Sequence, residues 1–502
     1  MTIRRLLIAN RGEIARRIMR ACRELGIETV AVYSDADAQA PSVREADHAV
    51  RLGPPPARES YLNIQAILNA AATSGADAIH PGYGFLSERA PFARACEAAG
   101  LIFVGPPAAA LEKMGSKTGA RQLMQAAKVP VVPGEIPRDQ SEAAFQEAIT
   151  RTGLPALLKP AAGGGGIGMK VVRTTAEIGE ALAAAKREAK ASFGDDAVYV
   201  ERLIEQPRHV EIQVFADDHG HTVHLFEREC SAQRRHQKVI EESPCPALSP
   251  RVRAQMGAAA VAAAEAVGYR NAGTCEFLLE GSGDDARFYF LEMNTRLQVE
   301  HPVTESVVGV DLVHAQLRVA AGEPLPFTQD SLQQRGHAIE CRIYAEDPAQ
   351  GFIPQAGPLL LYQEPQGPGI RVDSGVAQDS EVSVHYDPML AKLIVHGETR
   401  EVARRRAVAA LRAYAILGIR TNIPFLIGIL EHPAFVTASI DTRFLDRESA
   451  TIAAAIPTEI PPAVLAAAEA FRAAAPGTLA PPGTSGTMEP PDPFSTLRGW
   501  RG

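Results

Sequence analysis

The chain has 502 residues, 46% hydrophobic and 22% charged, with a formal net charge of −8. That is the profile of a soluble globular enzyme, too long for one compact core and about three domains in size. The acidic balance argues against nonspecific nucleic-acid binding, which needs a cationic footprint to displace counterions, and no apolar run reaches the ~18 residues a membrane span needs.

The first ten residues carry two arginines and an apolar run too short for a signal-peptide core, so a cytoplasmic location is expected. Residues 4–9 read as a buried strand. A helix follows, with Ile14, Ile18 and Cys22 spaced by four and Gly26 as its stop. Residues 28–34 read as the next strand. The first turn, Asn10-Arg11-Gly12-Glu13-Ile14, lacks the G-x-G-x-x-G that brings backbone to a pyrophosphate, so the domain is Rossmann-like in shape only.

Residues 77–89 read as a strand end, a two-glycine loop and a helix starting near Ser87. Loops at strand C-termini face the ligand crevice of an open α/β sheet, which makes His80 and Glu88 site-facing candidates. The expected organisation is α/β (α+β) throughout: a Rossmann-like domain over 1–115, a central domain over 116–330 with a small glycine-rich unit at 134–204, and a mixed α/β domain over 331–447. Residues 448–502 are an Ala- and Pro-rich tail, with a helical candidate at 461–472 followed by linker-like sequence. No internal repeat is visible.

The six cysteines form no C-x-x-C pair and read as reduced thiols. Cys230 lies beside a dense cationic stretch, which could favour its thiolate.

The run K-P-A-A-G-G-G-G-I-G-M, residues 159–169, suits a loop whose backbone N–H groups close over phosphates, because consecutive glycines weaken any helix or strand. Lys159 ends an apolar strand aimed at the same region, and Lys117 is a second lysine of the kind that neutralises a nucleotide. Residues 274–294 read as a hairpin. Centred on Asp284, it places Glu276 opposite Glu292, with Leu278 and Asn294 on the same face. Two like charges so opposed need a neutralising partner, for which a divalent cation is suited. The loop after it gathers Arg296, Gln298 and Glu300. A guanidinium fork fits a planar oxyanion such as bicarbonate, and a nearby carboxylate can take its proton. His301 reads as structural. In the stretch 227–238, strand alternation would put His236 and Lys238 on one face.

Together these segments resemble the biotin carboxylases of the ATP-grasp superfamily over residues 1–447. The resemblance is carried by I-A-N-R-G-E-I-A, H-P-G-Y-G-F-L-S-E, the glycine run, R-H-V-E-I-Q-V, E-C-S-A-Q-R-R-H-Q-K and E-M-N-T-R-L-Q-V-E-H-P-V-T-E. Two further segments, H-A-I-E-C-R-I-Y-A-E-D-P and Y-D-P-M-L-A-K-L, complete it.

The resemblance implies a biotin carboxylase subunit of an acetyl-CoA or acyl-CoA carboxylase, with an ATP-grasp central domain whose lid is the glycine-rich unit. Lys117, Lys159, Gly164, Gly165 and Gly166 would hold ATP phosphates. Glu201, Leu203, Ile204, His209, Gln233, His236 and Leu278 would line the nucleotide pocket. Glu276, Glu292 and Asn294 would hold Mg²⁺ or Mn²⁺. Lys238, Arg296, Gln298, Val299 and Glu300 would bind bicarbonate, with Glu300 as general base and Arg342 stabilising the biotin enolate. In the family's reaction bicarbonate attacks the γ-phosphate of ATP, and the carboxyphosphate formed gives CO₂ and phosphate. The phosphate takes the ureido proton, and biotin attacks CO₂.

Expected partners are a biotin carboxyl carrier protein or domain, carboxyltransferase subunits and a second copy of the chain. Ile167 stands where the family lid usually has a lysine or arginine, so Ile167→Arg is expected to raise ATP turnover. Pro160 also replaces a small residue of the lid. The A-M-K-M biotin-attachment signature is absent, and Met169-Lys170 lies beside the lid. The segment D-P-F-S-T-L-R-G-W-R resembles the stretch before the linker and carrier of long acyl-CoA carboxylase α chains. The competing readings are another ATP-grasp carboxylate ligase and a nucleotide-binding subunit with impaired catalysis. The final carboxyl acceptor is not encoded in these motifs.

Overall fold

The computed structural model describes residues 2–161 and 168–457, with positions 462, 465, 466 and 469 beyond; the Lys117 side chain lies outside the description. Gly164, Gly165, Gly166, Ile167, almost all of the helical candidate at 461–472 and the segment at 492–501 therefore lie outside the described residues. Residues 1–456 form one compact unit. Among the described residues no helix is long and apolar enough to cross a membrane.

The chain begins with a five-stranded parallel sheet ordered His48–Gly53, Glu28–Ser34, Arg5–Ile8, Ala78–His80, Ile102–Phe103. The order reverses beside the first strand, the place where such sheets open a crevice. The expected first helix spans Gly12–Leu25 and stops at Gly26, which takes the left-handed conformation at φ 69°. Its apolar stripe, Ile14, Ile18 and Cys22, is buried. Its arginines reach outward to distant segments: Arg17 to Glu305 and Asp311, Arg16 to the Ser374 carbonyl, Arg20 to Asp373. Gly375 is required here, since a Cβ would lie 2.7 Å from the Glu13 backbone nitrogen.

The helix expected near Ser87 begins later, as Ala90–Ala98. Ser87 instead closes a turn through Oγ to the Gly84 carbonyl at 2.7 Å. Local hydroxyl-to-backbone bonding of this kind competes with helix formation.

A second, mainly antiparallel sheet has eight strands. Its order is Arg287–Asn294, Asn271–Glu280, Arg208–Ala216, Thr222–Arg234, Gln237–Ser243, His337–Tyr344, Met389–Gly397, Ile370–Ser374. Strands from segments 116–330 and 331–447 thus share one sheet, joined where Ile240 pairs with Cys341 and Glu241 with Glu340. A four-stranded sheet, Gly134–Glu135, Val198–Arg202, Ala156–Pro160 and Lys170–Val172, carries its own core of Phe145, Leu158, Val172, Leu182 and Val200. The architecture is mixed α/β.

Candidate active site

The large sheet builds the site by register. Arg228, Glu211, Glu276 and Glu292 fall in one row across four neighbouring strands. Directly opposed residues project to the same side of a sheet, so the row concentrates charge on one face. The expected opposition of Glu276 and Glu292 is observed, by a route alternation alone did not give. Near the turn Phe277 pairs with Phe290, and a bulge then shifts the register so that Glu276 meets Glu292.

Lys238 sits over this row. Its Nζ donates to Glu211 Oε2 at 2.5 Å, Glu276 Oε1 at 2.9 Å and Glu300 Oε1 at 2.6 Å. Glu276 Oε1 also accepts from Asn294 Nδ2 at 2.7 Å and Gln298 Nε2 at 3.1 Å, and His209 Nε2 lies 2.9 Å from Oε2. Arg296 donates to Gln298 Oε1 at 2.7 Å, Asn294 Oδ1 at 3.1 Å and Glu88 Oε2 at 3.1 Å. Arg342 donates to Glu241 Oε1 at 2.6 Å and Glu300 Oε2 at 3.0 Å. Lys238, Arg296, Gln298, Glu300, Arg342, Glu276, Asn294 and His209 are therefore in one continuous network. Leu278 pairs with His209 in the same sheet, and Val299 offers its carbonyl to Lys392 Nζ at 2.8 Å.

The electrostatics follow from this packing. Burial alone would raise the carboxyl of Glu276, but Lys238 and His209 outweigh it and hold the group well below the carboxylate range. Burial likewise opposes ionisation of Glu300, yet Lys238, Arg342 and Arg228 keep it ionised well below its ordinary value. Glu276 and Glu292 are opposed in register, with Asn294 paired to Thr274 two residues on, and carboxylate and amide oxygens are the hard donors that magnesium takes.

Lys159 and Glu201 meet in the small sheet, Nζ to Oε2 at 2.8 Å, and Arg121 takes the other Glu201 oxygen at 2.8 Å. Burial would lower the Lys159 ammonium, but Glu201 and Tyr199 outweigh it and raise it. Ile204 is buried and Leu203 half-buried just beyond, Leu203 donating its N–H to the Pro155 carbonyl. Arg202 ties this strand to the large sheet through Glu280 Oε2 at 2.8 Å.

Three expectations need correction. The stretch 227–238 is a hairpin, not one strand: Arg235 and His236 take φ 49° and 67° and reverse the chain. This is the two-residue turn whose twist matches a hairpin. His236 consequently stands exposed at the tip, while Lys238 returns opposite Gln233. Cys230 is fully buried, and burial with Glu211 nearby pushes its thiol far up despite Lys238, so it carries no reactive thiolate. His80 is buried and structural: it bonds Gln316 and the Gly82 N–H, and burial lowers it to about 4, so it stays neutral. Gly82 is forced by φ +63° and by Asn10, which a Cβ would strike at 2.8 Å. Glu88 does join the network, accepting from the Thr295 N–H and Arg296. His301 is buried, bonded to the Gln298 carbonyl and held neutral by burial, as a structural histidine would be.

Motif reading passed over Glu211, Arg228, Glu241, Lys392 and Arg121. The signal available was a charged residue inside an apolar strand, as in V-E-I-Q-V around Glu211 and M-L-A-K-L-I-V around Lys392. Such residues are rarely buried unless paired.

Three family descriptions match the chain. They are the N-terminal domain of biotin carboxylase over residues 2–111, the ATP-binding domain of the carbamoyl-phosphate synthase L chain over 116–328, and the biotin carboxylase C-terminal domain over 340–447. The chain is 52% identical to the mitochondrial methylcrotonoyl-CoA carboxylase α subunit of Glycine max over 88% of its own length, but spans only 60% of that protein. It is 50% identical to biotin carboxylase 1 of Bacillus subtilis, covering 88% of this chain and 98% of that one. Among solved structures, the biotin carboxylase of Campylobacter jejuni aligns with a TM-score of 0.85 at 44% identity, covering 89% and 99% of the two chains. The biotin carboxylase domain dimer of the Hydrogenobacter thermophilus 2-oxoglutarate carboxylase, solved with MgADP, ADP and bicarbonate, aligns at 0.84 with 42% identity, covering 90% and 99%. With the network above and these likenesses running through all three segments, the chain belongs to the biotin carboxylase family.

Proposed function

We propose that this chain carboxylates biotin, using ATP and bicarbonate, as the first half-reaction of an acyl-CoA carboxylase. The observation that carries this reading is Lys238 bridging Glu211, Glu276 and Glu300 while Arg342 grips the far oxygen of Glu300. Two cations then flank one ionised carboxylate, the arrangement needed to orient a small oxyanion and take its proton.

Bicarbonate is a poor nucleophile, so positioning and charge neutralisation must do most of the work. Arg296, fixed by Gln298, Asn294 and Glu88, presents a planar fork to the anion. Lys238 supplies a point charge beside it. As Lys238 and Arg342 turn toward the bound anion, their hold on Glu300 weakens and its proton affinity rises, which makes it a base when substrate is present. Lys117, Lys159 and the glycine lid at 164–166 engage ATP phosphates. Glu201, Leu203, Ile204, His209, Gln233, His236 and Leu278 border the nucleotide. Glu276, Glu292 and Asn294 would hold magnesium, which when bound neutralises phosphate charge. Arg342 holds the biotin ureido oxygen as it gains negative charge.

Biotin arrives on a carrier protein or domain, and a carboxyltransferase passes the carboxyl group to an acyl-CoA. The similarity to methylcrotonoyl-CoA carboxylase α subunits supports an acyl-CoA as acceptor. The dimeric Hydrogenobacter thermophilus domain supports a homodimer. The deciding experiment is ATP hydrolysis that depends on bicarbonate and is stimulated by free biotin. Stimulation by a different carboxylate instead would assign the chain to another ATP-grasp ligase, and nucleotide binding without turnover would make it a regulatory subunit.

A further inference from the structure

Beside the site, the sheet opposes two buried carboxyls that the proposed chemistry does not use. Glu241 and Glu340 are directly opposite each other on neighbouring strands, and both are fully buried. Among the described residues, neither oxygen of Glu340, nor Oε2 of Glu241, has a hydrogen-bond partner. The remaining oxygen of Glu241 takes both the Nε (2.6 Å) and an Nη (2.5 Å) of Arg342. The same Nη of Arg342 also reaches Glu300 Oε2 at 3.0 Å. The guanidinium is thus strung between a carboxylate of the bicarbonate site and one member of the opposed pair.

We propose that Glu241 is the positioning residue for Arg342, and that its opposed partner Glu340 is the member of the pair that keeps the proton, leaving Glu241 the charge that holds the guanidinium. The inference rests on the reading of Arg342 as the group beside biotin. Two like charges buried directly opposite each other cannot both persist, so one member of the pair holds a proton. The groups facing Glu241 are Arg342, Glu340 and Tyr344 from the His337–Tyr344 strand, Lys238 from its own strand, and Cys230 and Glu300. Lys392 and Tyr83 lie next beyond Glu340 and Arg342. Burial pushes Glu241 up, only partly offset by Arg342, to about 7, and pushes Glu340 well above its ordinary value.

The consequence is specific. With Glu241 ionised, Arg342 is held between two carboxylates and its position is fixed. With Glu241 protonated, Glu300 is the carboxylate left to pair with Arg342 among the described residues, and the closer pair ties up the base. Biotin-stimulated turnover should therefore fall as pH drops through about 7, the point to which its surroundings raise Glu241.

The test is the pH profile of bicarbonate-dependent ATP hydrolysis with and without free biotin, on the full chain. The Glu241→Gln variant is expected to lose ~10²-fold in biotin-stimulated kcat at high pH, with the KM for ATP unchanged, as misplacement of a reacting group predicts. Glu241→Asp should recover part of it. Glu340→Gln, which replaces a neutral carboxyl by a neutral amide, should keep biotin-stimulated turnover at high pH and leave the acid limb in place. An acid limb that moves clearly in Glu340→Gln overturns the proposal, and so does full biotin stimulation in Glu241→Gln. Should the unaltered chain show no biotin stimulation at any pH, the reading of the function itself fails, and the proposal with it.

Discussion

Glu211 and Glu276 face each other on adjacent strands, and the single ammonium of Lys238 bridges them at 2.5 and 2.9 Å. Behind Glu211 stands fully buried Arg228, bonded to it at 2.6 Å and to Gln213, Thr304 and Thr274. An acidic row in a dry sheet is tolerable only with such compensation, because an unpaired buried charge costs several kcal/mol. The compensation holds Glu276 ionised, which is what the proposed chemistry needs, while burial still raises Glu211 above its ordinary value against Arg228 and Lys238.

Replacing Glu276 by Gln keeps the shape and removes the charge. Bicarbonate-dependent ATP hydrolysis should drop by ~10²-fold or more, the scale of losing one preorganised electrostatic group. The magnesium concentration at half-maximal rate should rise. A steady-state titration of magnesium in wild type and variant measures both.

Replacing Glu300 by Gln removes the proposed base while leaving an acceptor for Lys238 and Arg342. ATP binding, followed with a fluorescent nucleotide, should be retained. Turnover should fall by at least ~10²-fold, the contribution of a positioned general base. Equal losses of nucleotide affinity and turnover would place Glu300 in the nucleotide site instead.

Lys392 is wholly buried and holds the Val299 carbonyl at 2.8 Å and Glu13 at 3.2 Å. Lys392→Met leaves Glu13 buried with Tyr83 as its remaining partner and frees the loop that carries Glu300. The expected loss is ~3–5 kcal/mol of stability, the cost of breaking a buried pair from one side. Thermal melting should show it as a lower Tm, and bicarbonate KM should rise with it.

Glu305 anchors the first helix to the C-terminal segment by accepting from Arg17 at 2.8 Å and Arg371 at 2.7 Å. Burial opposes its ionisation, but Arg17 and Arg371 hold its carboxyl well below its ordinary 4.5. A folded pKa lower than the unfolded one stabilises the protein above the unfolded value, and the gain is lost as pH falls through the folded one. Glu305→Gln should therefore lower Tm clearly at neutral pH, and the gap to wild type should shrink as pH drops below about 4.5. A constant gap across that range would show the contribution is not electrostatic.

Several parts of the protein could be read without the structure because they depend on local pattern. The first helix, with its four-residue apolar spacing and Gly26 stop, is written in the residues that form it. The metal-type carboxylates and the Arg296–Gln298–Glu300 loop were legible as a dense run of charge after a hairpin. The reversal at Arg235–His236 was not, since neither residue is a usual turn former and positive φ is imposed there by the strands on either side. The bulge that brings Glu276 opposite Glu292 was hidden for the same reason.

What the sequence by itself determined is the inventory: which cations and carboxylates exist, and which short stretches present them. Only the tertiary structure decided their pairing. Lys238 meets Glu300 across 62 residues of chain, and Arg342 meets Glu241 across 101. Cys230 lost its expected reactivity, and Glu241 and Glu340 came to face each other in the dark of the sheet. The reason is physical: local periodicity fixes which way a side chain points, whereas charge state depends on burial and on neighbours that only long-range strand register supplies.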